Sequence, residues 1–302
     1  MKKKNTVSKK IRVSTTDRIV DVIIVIVMLC ILICTAYPMY YVCVASVSSG
    51  YAVSAKPGQL FWPEGFNLYA YKLALEHPLI MNGYKNTLIV LFVSLPINLL
   101  MTLIAGYFMA CENMKFKRII VIFMMIPMYF SGGLIPGYLN IRDLGLYNSL
   151  WALILPGALS IFNAIICRTA IQGIPDSLTE SAKLDGASDM TILIKIILPL
   201  IKATAAVLLL YYGVGHWNSW FPASIYLNDN AKMPVQNVLR SILTANNDSG
   251  LAAGVGGMDD FDEYAHAIKY AAIVISTLPI VCVYPFLQKY FVKGTMVGAV
   301  KG

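Results

Sequence analysis

Of the 302 residues, 58% are hydrophobic and only 13% are charged, where an ordinary soluble domain carries roughly 25% charged. This composition excludes a soluble globular protein and predicts an all-α integral membrane protein. The formal net charge of +8 does not indicate a nucleic-acid partner, because the basic residues cluster where an anionic inner leaflet would meet them.

The apolar residues gather into six runs, at 19–46, 87–111, 119–139, 150–171, 203–226 and 267–291. Each is close to the roughly 20 residues that cross a bilayer as a helix. Before the first run, residues 1–18 form a basic tail containing Lys2, Lys3, Lys4, Lys9, Lys10, Arg12 and Arg18. Tail and first run together imitate a secretion signal. The apolar stretch is too long for one, and no small-residue cleavage site follows, so it is read as a retained first span.

The segment 47–86 holds a turn at Lys56-Pro57-Gly58 and then Phe61-Trp62-Pro63-Glu64-Gly65-Phe66. Its aromatics are either headgroup-level anchors or a platform for an external partner. Within the third run, Pro127, Gly132, Gly133 and Pro136 predict a kink or an unwound turn, which either lines a cavity or permits close packing. The segment 227–266 carries a glycine-rich stretch at 251–257 and an acidic run from Asp259 to Glu263. It has neither a phosphate-loop pattern nor the spaced oxygen ligands of a calcium loop, and reads as solvated.

Basic residues alternate between connections. Lys115, Lys117 and Arg118 follow the second run; Arg168, Lys183, Lys195 and Lys202 follow the fourth; Lys289, Lys293 and Lys301 close the chain. The intervening connections hold most of the acids. The positive-inside rule therefore places both termini and the loop 174–202 in the cytoplasm. The layout is a cytoplasmic tail (1–18), a six-span domain (19–291) and a C-terminal cytoplasmic tail (292–302).

No catalytic or metal constellation is visible: there is no HExxH, no Cys-x-x-Cys, no GxSxG, and His77, His216 and His266 lie far apart. The six cysteines fall in or beside the runs and are expected to be small buried hydrophobes. Acids inside the runs are nearly absent, with Asp17 and Asp21 at the edge of the first. That argues against ion-coupled transport and puts the energy source outside this polypeptide.

The loop 174–202 reads IPDSLTESAKLDGASDMTILIKIILPLIK. Its charges could not sit in hydrocarbon, where each costs about 2.5–3.5 kcal/mol at a helix centre. It is nevertheless patterned for order. Ser177 and Glu180 have capping-box spacing, Leu178 and Ala182 share one side of a short helix, and Gly186 is placed to end it. Ser188 can cap a second helix running through Ile192, Ile196 and Ile197 to Pro199. Two helices with a glycine elbow are either a sharp connection or a docking element.

Glu180-Ser181-Ala182-Lys183-Leu184-Asp185-Gly186-Ala187, with Ile196 and Leu198-Pro199 downstream, resembles the EAA loop of bacterial ABC-importer permeases. Ser181 replaces the second alanine of that pattern, small for small. The ending from Tyr284 to Gly294, with Gly298-Ala299-Val300-Lys301-Gly302, resembles carbohydrate-type permeases. His216-Trp217-Asn218-Ser219-Trp220-Phe221 and Met233-Pro234-Val235-Gln236-Asn237-Val238-Leu239-Arg240 are similar to the subgroup importing complex oligosaccharides, such as alginate fragments.

The resemblance implies a six-helix MetI-like permease fold in the bacterial cytoplasmic membrane, moving a carbohydrate with no catalysis of its own. Its implied partners are two cytoplasmic ATPase subunits, a second, non-identical permease, an extracytoplasmic solute-binding protein and membrane lipid. ATP and magnesium would be used by the ATPase subunits, and no cofactor would be held by this chain. Glu180, Ala182, Asp185, Gly186 and Ala187 are implied to couple it to the ATPase, and a bulky residue at Gly186 is expected to uncouple transport. Trp217, Asn218 and Trp220 are candidates for the substrate pathway, through indole stacking on sugar rings and amide bonding to hydroxyls. They also fit an aromatic belt with a helix-packing amide. The alternatives are a permease of the same type for a non-sugar solute, and a self-sufficient channel or ion-coupled carrier.

Overall fold

The computed structural model describes residues 15–111, 116–244, 267–283 and 285. Among these residues every regular element is helical. Residues 1–14 of the tail, the glycine-rich and acidic stretches of 245–266, His266 and the C-terminal signature apart from Pro285 lie outside the described residues.

The first helix, α1 (Thr15–Ser46), is apolar along nearly its whole length and buries none of its most hydrophobic window. Only its last turns dock, where Tyr41, Val44 and Ala45 meet Ala52 and Val53 of α2 (Gly50–Ala55) and Leu60. A helix apolar on every face and unburied within its own chain belongs in lipid or against another subunit. After α2, Gly58 takes the expected turn at φ +73°, and Trp62 and Phe66 stand exposed.

Following α3 (Tyr69–Glu76), the 33-residue α4 (Pro78–Ala110) forms the axis of the molecule. It begins nine residues before the apolar run at 87–111, because Pro78 is well suited to a helix start and Ile80 and Gly83 pack inward. Its buried side carries Asn86, Thr87, Ser94, Asn98 and Thr102, all but Ser94 bonded to neighbouring segments.

The next three runs are broken. α5 (Lys117–Tyr129) and α6 (Leu134–Asp143) meet at 113° across an unwound stretch. Gly133 there has φ +90°, so the expected unwinding falls on the glycines, while Pro127 stays inside α5. The run at 150–171, expected to be one span, is instead α7 (Trp151–Ile154), an irregular stretch at 155–160, and α8 (Ile161–Ile171). Pro156 and Gly157 interrupt the ladder, and α4 and α12 repair it. Asn98 Nδ2 donates to the Gly157 carbonyl at 2.6 Å, and the Ser160 amide donates to Tyr212 Oη at 2.9 Å.

After α9 (Asp176–Leu184) and α10 (Asp189–Ile192), the helix widens into a π turn at Leu193–Ile197 before α11 (Leu198–Leu200). The widened bonding precedes Pro199, which has no amide hydrogen to give. The chain then turns by 91° into α12 (Lys202–Asn218). The run at 203–226 also breaks, after Asn218, because Pro222 at the start of α13 (Phe221–Tyr226) cannot continue α12. Then come α14 (Val235–Thr244) and α15 (Ala267–Val283).

Among the described residues, two helices are long and apolar enough to cross a bilayer unbroken, or four if each bent pair is one span. Of the six runs of the sequence, the first two thus become intact helices, those at 119–139, 150–171 and 203–226 are interrupted, and the sixth is one helix over its described residues Ala267–Val283. The cysteines also depart from expectation. Cys167 is buried and Cys111 half-buried, but Cys30, Cys34, Cys43 and Cys282 are exposed on a lateral surface that needs no burial within the chain.

Candidate functional site

The elbow's first helix starts two residues before its expected register. Pro175, not Ser177, occupies the position before α9, and no side chain caps the start. The capping box of Ser177 and Glu180 is therefore absent. Proline's fixed φ suits that boundary, and Asp176 in the first turn complements the helix dipole instead. The far end is as expected. Gly186 has φ +80°; its N–H donates to the Lys183 carbonyl at 3.0 Å, and the Ala187 N–H donates to the Ala182 carbonyl at 2.9 Å. This pair of bonds is a Schellman closure. The Asp-Gly-Ala sequence is thus a backbone device: Asp185 ends the helix, Gly186 supplies the left-handed residue, and Ala187 closes onto Ala182.

Both alanines also pack against the buried cluster beneath the elbow. That cluster joins Leu103 and Tyr107 of α4, Cys167 and Ile171 of α8, Ile192, Leu193 and Ile197 of the elbow, and Ile201 and Leu208. Ile192 and Ile197 are fully buried, and each contributes about 1.5–3 kcal/mol relative to exposure to water. Small residues at 182 and 187 let the elbow lie close to this floor. A Cβ on Gly186 would meet nothing within 4 Å, so within this chain the glycine is required by backbone conformation, not by lack of space.

The opposite face is open. Glu180, Lys183, Asp185 and Gly186 are exposed, and Leu184 is 90% exposed beside Leu178 at 45%. Leu178 therefore does not share the buried side of Ala182; two leucines and several charges are presented outward. Ser188 caps α10 as expected, its Oγ accepting from the Thr191 amide at 3.3 Å.

Asp189 is a residue that sequence reasoning missed. Tyr107 Oη of α4 donates to its Oδ1 at 2.8 Å, and Lys183 Nζ of α9 lies 3.8 Å from the same oxygen. One carboxylate oxygen thus joins α4, α9 and α10. A cavity of about 550 Å³ opens beside it, lined by Tyr107, Cys111, Gln172, Glu180, Lys183 and Asp189 among others. No spacing rule links residues 107 and 189; only the fold brings them together.

At the other end of α12, Trp217 is buried and its indole N–H donates to the Ser276 carbonyl of α15 at 3.1 Å. It packs inside the bundle, with Tyr84 of α4 beside it. Asn218 is exposed. Trp220 is 37% exposed, with Phe221 edge-on at 5.5 Å and the Arg240 guanidinium 3.5 Å above its ring. Asn237 Nδ2 donates to the Trp220 carbonyl at 2.9 Å. His216 Nε2 lies 3.0 Å from Asn98 Oδ1, part of the repair of the broken 150–171 segment. The three pathway candidates therefore separate into one buried packing residue and two exposed ones at a helix break. Among the described residues, no group of three or more His, Cys, Asp or Glu side chains could hold a metal.

The sequence pattern of the family described as "Binding-protein-dependent transport system inner membrane component" matches residues 86–297. The chain is 39% identical to Protein LplC of Bacillus subtilis (strain 168) over 272 residues, covering 89% of this chain and 90% of that protein. It is 36% identical over 290 residues to the polygalacturonan/rhamnogalacturonan transport system permease protein YtcP of the same strain, covering 95% and 99%. Among solved structures, it superposes with a TM-score of 0.85 and 30% identity on a chain of a bacterial ABC transporter involved in the import of the acidic polysaccharide alginate. That match covers 92% of this chain and 98% of the other. An all-helical chain with a glycine elbow on its central core, matched over most of its length, belongs to the binding-protein-dependent transport system inner membrane components.

Proposed function

We propose that this chain is the permease subunit of an ATP-driven importer that moves an oligosaccharide across the bacterial cytoplasmic membrane. The observation that carries the reading is the elbow: a closed turn rooted in the core of α4, α8 and α12, with its outward face left uncovered. A rigid element standing on the pathway helices and open to the cytoplasm is suited to receive an ATPase subunit and pass on its movement. Glu180, Asp185 and Leu184 supply the contact face, while Ala182, Gly186 and Ala187 hold the shape. ATP and magnesium belong to that partner, and this chain contributes no catalysis.

The topology that goes with this role has six spans, some of them broken, with both termini and the elbow cytoplasmic. The exposed apolar faces of α1 and α5 leave surface for lipid and for a second permease, and Phe123, Tyr129 and Phe130 on and after α5 are more than two-thirds exposed. An extracytoplasmic binding protein would deliver the sugar to the side away from the elbow. Polygalacturonan and alginate, named for two of the similar proteins, are polymers of uronic acids, which favours an acidic oligosaccharide over a neutral one.

Mild-detergent purification of the chain from native membranes, with co-purifying proteins identified by mass spectrometry, tests the assignment. The expected partners are an ATPase with a phosphate-binding loop, a second permease and a solute-binding protein. Recovery of this chain alone, under conditions that preserve other importers, would favour a self-sufficient carrier instead.

A further inference from the structure

We propose that Arg240 and Trp220 form a subsite that reads the carboxylate of an acidic sugar at the outer end of this subunit's pathway; the inference rests on the acidic-oligosaccharide reading above. Two sequence stretches meet here. Trp220 occupies the break between α12 and α13, and Arg240 lies on α14, with its guanidinium carbon 3.5 Å from the indole centroid. α12 places this break ~25 Å from the elbow, at 1.5 Å per residue over its 17 residues.

The setting is built rather than casual. Val235, Val238 and Ile242 bury the inner side of α14, which leaves Arg240 on the exposed side. Asn237, one turn earlier, fastens α14 to the break through the Trp220 carbonyl. The position of the indole under the guanidinium is therefore fixed by a second contact between the same two segments.

Charge accounting separates Arg240 from its neighbours. Lys56, Lys72 and Lys232, on the same side of the molecule, each face a carboxylate, of Glu64, Glu76 and Asp229. Arg240 makes no ion pair among the described residues, and neither do Lys85 and Arg142. Arg240 differs from those two in lying against an aromatic ring. An exposed guanidinium at the outer end of a membrane bundle does not face acyl chains; it faces water, a partner or a solute path. Stacked on indole, it keeps its N–H edge free for bidentate pairing with a carboxylate. The exposed part of the indole and the Asn218 amide suit a sugar's apolar face and hydroxyls. A uronate presents that combination of a planar anion on a ring with one apolar face.

The test uses the complete importer with its binding protein in proteoliposomes, and trigalacturonate as probe. Wild type, Arg240→Gln, Arg240→Lys and Trp220→Phe are compared for uptake and for ATPase activity stimulated by the loaded binding protein. The expected result is a fall in uptake of about tenfold for Arg240→Gln, the size of one lost charged hydrogen-bond pair. Stimulated ATPase activity stays unchanged, Arg240→Lys recovers uptake in part, and Trp220→Phe gives a smaller loss. Unchanged uptake in Arg240→Gln would overturn the subsite. So would a parallel fall in uptake and ATPase activity, which would make Arg240 part of the binding-protein docking surface. Wild type that imports galactotriose but not trigalacturonate would instead overturn the acidic-substrate reading on which the subsite stands.

Discussion

The elbow around Gly186 and the break around Trp220 are both interruptions of helix, yet they are held in different ways. The elbow closes through its own backbone and rests on a buried apolar floor. The breaks at 155–160 and 219–220 close only in part through their own backbone, by Ala158 N–H to the Leu155 carbonyl at 3.1 Å and Ser219 N–H to the His216 carbonyl at 3.3 Å; side chains from other helices supply further hydrogen bonds. The difference teaches where rigidity resides. An element that closes itself can be displaced as a unit and return unchanged, which suits a part that transmits motion. A break held by distant side chains can rearrange when those helices shift, which suits a part that opens around a solute.

The packing side of the comparison breaks most sharply at Gly106. A Cβ there would lie 2.8 Å from both Cβ and Sγ of Cys167, so Gly106→Val must push α4 away from α8. Overpacking of this kind costs about 1–3 kcal/mol, sometimes more. The expected outcome is a sharp loss of assembled complex, measured by size-exclusion yield. Next is Asn98→Ala, which leaves the Gly157 carbonyl and His216 without their partner at about 1–3 kcal/mol. It should lower the thermal midpoint of the purified complex while the import remaining per ATP hydrolysed stays normal.

Gly186→Val should behave in the opposite way. The site is exposed with space for a side chain, so the cost is the left-handed backbone, about 1–2 kcal/mol. The thermal midpoint should fall no further than in Asn98→Ala while import per ATP falls, with Gly186→Asn milder because asparagine tolerates that conformation. Smallest is Tyr107→Phe, which removes one hydrogen bond to Asp189, about 1 kcal/mol. If the Tyr107–Asp189 bond carries elbow motion to α4, Tyr107→Phe and Asp189→Asn should lower import per ATP, and combining them should add nothing further. Additive losses would show two unrelated effects.

The same contrast explains what could be read from the sequence. Gly186 and Ala187 were legible because a Schellman closure is local and its residue preferences are strong; membrane character was legible because it is compositional. The helix start was misplaced by two residues because Pro175 starts the helix as readily as Ser177 caps it. The breaks in the runs at 150–171 and 203–226 were not legible. Pro156-Gly157 and Pro222 mark them, but prolines are also accommodated inside helices, as Pro38, Pro96 and Pro127 are here. What decides is whether a neighbouring helix offers a donor or acceptor at that depth, and the residues that do so, Asn98 and Tyr212, are far away in sequence. Trp217 and Trp220 look alike in the chain; only the Ser276 carbonyl and the Arg240 side chain distinguish a packing indole from an exposed one.

The most direct test of the central claim is uptake of labelled trigalacturonate into proteoliposomes holding the full complex, with wild type compared to Gly186→Val. The account predicts accumulation that requires both ATP and the binding protein in wild type. In the variant that accumulation should be lost while ATPase activity persists. Uptake by this chain without ATP or binding protein, or undiminished uptake in Gly186→Val, would contradict it.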